Sequence, residues 1–194
     1  MLNDQYWSQR YENHQTRWDI GNVAPPLKAY FEQLTDKNVA ILIPGCGNAH
    51  EAEYLLQQGF INITLIDISA TLVNSLQEKL QFYTEKGHVR VIHQDFFEHA
   101  GSYDLVIEQT FFCAIEPSLR TLYAKKMSKL LKPKGKLVGL LFDYNFEGGP
   151  PFGGSKAEYI TYFEAYFTFK IFENCYNSIS PRAGNELFIC LECL

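Results

Sequence analysis

Apolar positions along the chain repeat with two periods, and segments of the two kinds alternate. Residues 39–43 (VAILI) are a continuous apolar run, rich in β-branched residues, of the sort found in strands covered on both faces. Residues 62–69 (NITLIDIS), 89–95 (VRVIHQD), 103–109 (YDLVIEQ) and 136–144 (KLVGLLFDY) read as four more strands. Helical patterns lie between them. Ala52, Leu55 and Leu56 share a face in residues 49–59, which stop at Gly59; Leu72, Leu76, Leu80 and Tyr83 share one in residues 71–87, which stop at Gly87. Residues 118–131 form a third, stopped before Pro133. Two helices precede the first strand, at residues 5–13 and 26–33, the second opened by a proline pair. A glycine- and proline-rich loop (NFEGGPPFGGS) leads to a last helix near residues 156–166, and residues 167–176 and 186–194 pair as a hairpin.

Five βα alternations followed by a hairpin predict an α/β fold: a doubly wound, mostly parallel seven-stranded sheet, Rossmann-like, with a C-terminal antiparallel hairpin. At 194 residues the chain suits one domain, residues 1–194, with residues 1–35 as an N-terminal helical lid.

Charge and cysteine usage narrow the partners. A formal net charge of -5 argues against a broad phosphate-binding surface, so nucleic acid is not expected. The one basic run, Lys125 to Lys136, reads as a helix end and the turn after it. An odd count of five cysteines, no charged-then-apolar leader and no apolar run of membrane-spanning length lead us to expect a cytoplasmic protein without membrane contact, a monomer or weak homodimer. Cys190 and Cys193 form a C-x-x-C without the second pair a zinc site needs, and read as strand residues; no metal is expected.

The chemistry starts at the turn after the first strand, ILIPGCGNAH. In open α/β sheets ligands bind beyond the carboxyl ends of the strands, and Gly45 and Gly47 sit at such an end. A dinucleotide fingerprint would need a third glycine at position 50, where His50 stands, and no Gly-Lys-Ser/Thr phosphate loop is present. Asp67 ends the second strand, placed to accept hydrogen bonds from two ribose hydroxyls. Asp95 ends the third, where a side chain could accept from an adenine amino group. An adenosine without phosphates fits this set best.

On these residues the chain resembles a class I S-adenosylmethionine-dependent methyltransferase, and within that class the thiopurine S-methyltransferase family, which includes halide and thiol methyltransferases. The resemblance covers nearly the whole chain: YWSQRYENHQTRWDIG at residues 6–21, ILIPGCGNAHEAEYL, LIDIS, DFF, EQTFFCAIEPSLRTLYAKKMSKLLKPKGKLVGLLF and GGPPF follow in the family's order. It implies S-adenosylmethionine as cofactor and S-adenosylhomocysteine as product. It implies that Trp7, Tyr11 and Trp18 close over the cofactor, Gly45 lies against its amino-acid part, Asp67 holds the ribose, Asp95 and Phe96 frame the adenine, and Gln109 stands near the sulfonium end, with Gly47 and Ile68 also counted among the cofactor-binding residues. Gln109 departs from the arginine of thiopurine-active relatives and the tyrosine of plant halide and thiol relatives, which leaves the acceptor open. Tyr11 stands where some relatives have a third tryptophan.

The expected activity is methyl transfer to a small soft nucleophile, a thiol, thiopurine-like compound or halide, by in-line displacement. Such transfer needs alignment and a dry pocket more than a dedicated base, because a thiol of pKa about 8.5 already yields some thiolate near neutrality. No catalytic residue is assigned. Phe111, Phe112 and Phe152 are candidates for the substrate pocket. His14, His50, His88, His93 and His99 are scattered and read as ordinary surface or core histidines, and Cys46 and Cys113 as buried fillers. The alternatives are a small-molecule methyltransferase of another acceptor class and a non-catalytic S-adenosylmethionine-binding module; a nicotinamide-dependent dehydrogenase is disfavoured by His50.

Overall fold

The computed structural model describes residues 2–194, and its first helix, α1 (Asp4–Glu12), begins where the Asn3 side chain accepts the Tyr6 amide. Residues up to His99 form one compact unit and Ala100–Leu194 a second.

In the first unit α2 (Pro25–Phe31) has prolines in its first turn, where a missing N–H costs nothing. Strands β1 (Ile41–Pro44) and β2 (Ile63–Asp67) are buried at every position, as suits strands covered on both faces, and β2 carries Thr64 and Asp67 inside with its apolar residues. Helix α3 (His50–Gln57) follows β1, and β2 runs into α4 (Ala70–Lys79), whose N-cap Ser69 accepts the Leu72 amide at 3.2 Å. The single helix expected over residues 71–87 is broken: α4 ends at Lys79, and Leu80 is both its C-cap and the N-cap of a short helix α5 (Gln81–Glu85). Leu72, Leu76 and Leu80 are all buried. A spacing of four drifts roughly 40° per step around a helix of 3.6 residues per turn, and none of the five α5 residues is buried. The bend at Leu80 therefore falls where the buried stripe runs out. Strand β3 (Val89–His93) is parallel to β2, as β2 is to β1. It stops two residues short of Asp95.

In the second unit β4 (Tyr103–Gln109) has the expected bounds, and α6 (Arg120–Leu130) passes directly into β5 (Leu131–Phe142). The strand thus starts before the position expected for it. Tyr103 pairs with Leu131 but Leu105 with Lys136, so the predicted turn survives as an outward bulge, with Lys134 at φ +64° and Lys132 Nζ on the Asp104 carboxylate at 2.8 Å. Ser155 is the N-cap opening α7 (Lys156–Phe163), where its hydroxyl accepts the Glu158 amide. Strands β6 (Phe167–Asn174) and β7 (Glu186–Cys193) make the expected hairpin, with β7 antiparallel to both β5 and β6. Cys190 and Cys193 are strand residues, and all five cysteines are free and buried. The seven strands run in the order β3-β2-β1-β4-β5-β7-β6, the mixed α/β sheet the pattern implied. Among the described residues no helix is long and apolar enough to cross a membrane.

Candidate cofactor and acceptor sites

The first unit builds its site around the turn from β1 to α3. Gly45, Gly47 and Ala49 all have left-handed backbone, at φ +55°, +51° and +59°. The third position of this turn that asks for a glycine-like conformation is therefore Ala49, and His50 is the first residue of the helix. A Cβ on Gly47 would lie 3.7 Å from the Tyr11 hydroxyl, and the Gly47 amide donates to Asp67 Oδ2 at 3.4 Å. The other Asp67 oxygen accepts the Ser69 amide at 2.9 Å. Asp67 is 8% exposed; burial pushes its carboxyl up to about 6, against the pull of the Ser69, Gly47 and Ile68 amides. A carboxylate offers about four acceptor positions, so beside these three amides an acceptor position remains for a ligand hydroxyl.

Three rings continue from this turn. Helix α1 ends at Glu12, His14 turns at φ +54°, and the chain doubles back so that Trp18 meets Trp7 edge-on at 5.5 Å and Tyr11 at 5.9 Å between centroids. Trp7, Trp18, Tyr11, Gly47 and Asp67 thus form one connected series. Burial, with the nearby Asp67 charge, holds the Tyr11 phenol well above its ordinary range, so its hydroxyl is a neutral hydrogen-bonding group.

Asp19 locks the returning segment to the glycine turn. Its carboxylate accepts from Asn48 Nδ2, pairs with His50 Nε2 at 2.8 Å, and accepts the Gly21 amide at 2.7 Å. Burial opposes ionisation, yet these partners keep its carboxyl below the ordinary value. Glu51, 5% exposed, accepts the Ala24 amide at 3.0 Å and ties down the start of α2. Neither acid was legible as a site residue, since each is defined by a partner more than twenty residues away.

Asp95 lies outside β3 and is exposed. Its Oδ1 accepts the Phe97 amide at 2.8 Å, which makes it the N-cap of a short 3-10 turn over Phe96–Glu98, while Phe96 is buried beneath. Ile68 is half-buried, and its carbonyl is 3.0 Å from His93 Nε2.

The second unit holds the other candidates. Gln109 ends β4 with its Oε1 buried and without a hydrogen-bond partner. Thr110 follows at φ +59°, an uncommon backbone for a β-branched residue and a mark of a constrained turn. What constrains it is Glu108, a residue that the sequence reading passed over. Fully buried, Glu108 accepts the Phe111 amide at 2.6 Å, the Phe112 amide at 3.0 Å and the Tyr123 hydroxyl. Burial pushes its carboxyl up to about 7 in spite of these donors. Phe111 and Phe152 are half-buried. Phe112, grouped with them in the sequence reading, is 1% exposed and packs on Tyr123 at 5.0 Å, Tyr159 at 5.2 Å and Phe163 at 5.8 Å. It is a core ring beneath the turn. Phe152 is tied to that turn through its amide, which donates to the Cys113 carbonyl at 2.7 Å.

A profile of the family described as Thiopurine S-methyltransferase (TPMT) matches residues 2–189. The chain belongs to the thiopurine S-methyltransferase family. Among curated relatives this family member is 35% identical over 156 residues to a probable thiol methyltransferase 2 of Arabidopsis thaliana, spanning 79% of this chain and 69% of that one. It is 29% identical over 185 residues to thiocyanate methyltransferase 1 of Brassica oleracea, spanning 93% and 81%. A solved structure of similar fold is the 1,6-didemethyltoxoflavin-N1-methyltransferase of Burkholderia thailandensis with bound 1,6-didemethyltoxoflavin and S-adenosylhomocysteine. It gives a TM-score of 0.76 at 18% identity, over 98% of this chain and 86% of that one. The chain is accordingly an S-adenosylmethionine-dependent methyltransferase of small molecules.

Proposed function

We propose that the enzyme methylates a small soft nucleophile, a thiol, a thiopurine-like compound or an anion such as iodide or thiocyanate, by in-line displacement. The observation that carries this reading is the chemistry of the candidate acceptor residues themselves, none of which is a base. Residues 100–194 contain no histidine. Gln109, Thr110, Phe111 and Phe152 offer no group that takes a proton, the nearby Glu108 is fully enclosed by its three donors, and burial raises the Cys113 thiol far out of the reactive range. An acceptor that is already anionic, or ionises near neutrality, suits such a surface; an alcohol does not. The names of the thiol and thiocyanate relatives support the same acceptor class.

Residues of the first unit fit the cofactor. Asp67 would accept the ribose hydroxyls, the turn of Gly45 and Gly47 would let backbone approach the amino-acid portion, Ile68, Asp95 and Phe96 would border the adenosine, and Trp7, Tyr11 and Trp18 would cover it. Gln109 is assigned to the sulfonium end. When bound, S-adenosylmethionine supplies an activated methyl group on a positively charged sulfur. Aromatic faces attract such a cation by roughly 0.5 to 2 kcal/mol each, more when water is excluded. Half-buried Phe111 and Phe152 would keep the nucleophile poorly solvated, and the constrained turn at Thr110 would keep it aligned; alignment supplies the larger part of the rate.

A panel of bisulfide, a small aromatic thiol, iodide, thiocyanate and a thiopurine, set beside a phenol and an amine, tests the proposal through formation of S-adenosylhomocysteine. Turnover confined to sulfur and iodide acceptors is expected. Turnover of the phenol or amine in their place would move the enzyme to another acceptor class, and cofactor binding without turnover of any acceptor would leave a binding module.

A further inference from the structure

Arg120 opens α6 and is 1% exposed, one of the largest fully buried side chains among the described residues. Its Nη2 donates to the carbonyl of Phe152 at 3.2 Å and of Gly153 at 2.8 Å, and its Nη1 to Glu158 Oε1 at 3.0 Å. The guanidinium carbon lies 4.9 Å from the Phe112 ring centroid and 5.5 Å from that of Tyr159. Enclosing a cation costs several kcal/mol, and an apolar side chain of this size usually fills such a space at less cost. The Glu158 partner does not account for the burial, because its side chain is 37% exposed and could pair with an arginine at the surface. The two loop carbonyls account for it: they belong to the glycine-proline loop, which has few apolar residues of its own to anchor it, and the planar guanidinium fork reaches both.

The loop is held elsewhere by the Phe152 amide on the Cys113 carbonyl and the Gly154 amide on the Tyr144 carbonyl at 3.0 Å. At Gly153 a Cβ would come within 2.1 Å of the Tyr144 carbonyl, so the backbone there has no slack. We propose that Arg120 is the positioning residue that fixes Phe152 on its loop and thereby sets affinity for the acceptor. This rests on the reading that Phe152 borders the acceptor. Arg120 touches neither acceptor nor cofactor; it acts through the loop backbone.

Steady-state kinetics of Arg120→Lys and Arg120→Met, with thiophenol and with iodide, test the assignment beside cofactor titration and thermal melting. The acceptor KM for thiophenol should rise roughly tenfold in both variants, with kcat changed less than about threefold and cofactor affinity within about twofold, the pattern of lost acceptor binding alone. Iodide, which offers a ring little to pack against, should lose less, so the preference for thiophenol over iodide should fall by roughly fivefold. A lower melting temperature with unchanged acceptor KM and unchanged preference would make Arg120 a structural residue only and overturn the proposal. So would an equal loss of cofactor affinity. If neither variant folds, Gly153→Ala displaces the same loop with Arg120 intact: the same rise in thiophenol KM supports the proposal, and an unchanged KM overturns it. Absence of turnover by the unaltered enzyme would instead refute the acceptor reading on which the proposal depends.

Discussion

Asp67 joins a buried carboxyl to the amides of Gly47 and Ser69, and its protonation state decides what else it can hold. Its folded value of about 6 lies above the ordinary 3.8, so the folded protein retains this proton over a pH range in which the unfolded chain has lost it. Ionising Asp67 therefore lowers stability as pH rises from about 4 to about 6, and the site keeps a carboxylate at neutrality at that expense. A carboxylate offers ribose hydroxyls charged acceptors on both oxygens, whereas protonation turns one of those oxygens into a donor. Cofactor affinity measured by calorimetry should be flat above pH 7 and weaken as pH falls through 6; a profile flat from pH 5 to 8 would remove Asp67 from the site. Asp67→Ala should weaken cofactor binding by roughly 1 to 3 kcal/mol, by loss of charge-assisted hydrogen bonds. At this scale the sequence was informative where a residue type and a strand end coincide, as at Asp67. It was silent at Glu108 and Arg120, because burial of a charge is created by distant partners. At Asp95 it misplaced the strand end, and the N-cap geometry of that carboxylate accounts for its position in the chain.

The element whose role the structure sharpens most is α1. Asp4, Ser8 and Glu12 lie one helical turn apart on a single face, and all three meet the start of α4: Asp4 accepts the Ala70 amide at 2.9 Å, Ser8 lies 2.9 Å from the Ser69 hydroxyl, and Glu12 accepts from Thr71 at 2.9 Å. Asp4 supplies what an N-terminus of a helix lacks, a negative acceptor for its first free amide. Helix α1 is thus fastened to the residues that follow Asp67. The returning segment around Trp18 is held separately, by Asp19. Asp4→Ala should lower unfolding free energy by roughly 1 to 2 kcal/mol in urea titration, as loss of a capping side chain does. Hydrogen bonds from Ser8 and Ala70 keep the Asp4 carboxyl below its ordinary value despite slight desolvation. Its contribution is accordingly present above about pH 4 and lost as pH falls through the lowered folded value, so the variant and the parent should converge in acid. Trp18→Ala, which removes a half-buried ring packed on Trp7 and Tyr11, should cut methyl transfer while leaving the melting temperature nearly unchanged; a collapse of stability would make it a core residue. Strands and helices were legible where periodicity ran unbroken. The bend at Leu80 and the early start of β5 were not, since one follows from a drifting buried stripe and the other from pairing that carries Leu131 past Pro133.

For the whole molecule, the mixed seven-stranded sheet and family membership make the enzyme class secure, and composition had already turned attention to small molecules through its net charge of -5. The fold was legible because strand-helix alternation and a terminal hairpin admit few arrangements; the acceptor was not, because Gln109 and the phenylalanines constrain shape and polarity without naming a compound. What the structure adds is a chemical criterion: no base among the candidate acceptor residues Gln109, Thr110, Phe111 and Phe152, and a turn and a loop held by a buried carboxyl and a buried guanidinium. That criterion meets its sharpest test in one matched pair of acceptors, thiophenol and phenol, assayed by S-adenosylhomocysteine formation at neutral pH. The account predicts turnover of thiophenol at least roughly a hundredfold above phenol, since at that pH a thiol ionises far more readily and needs no base. Equal turnover of the two, or preference for phenol, would contradict it.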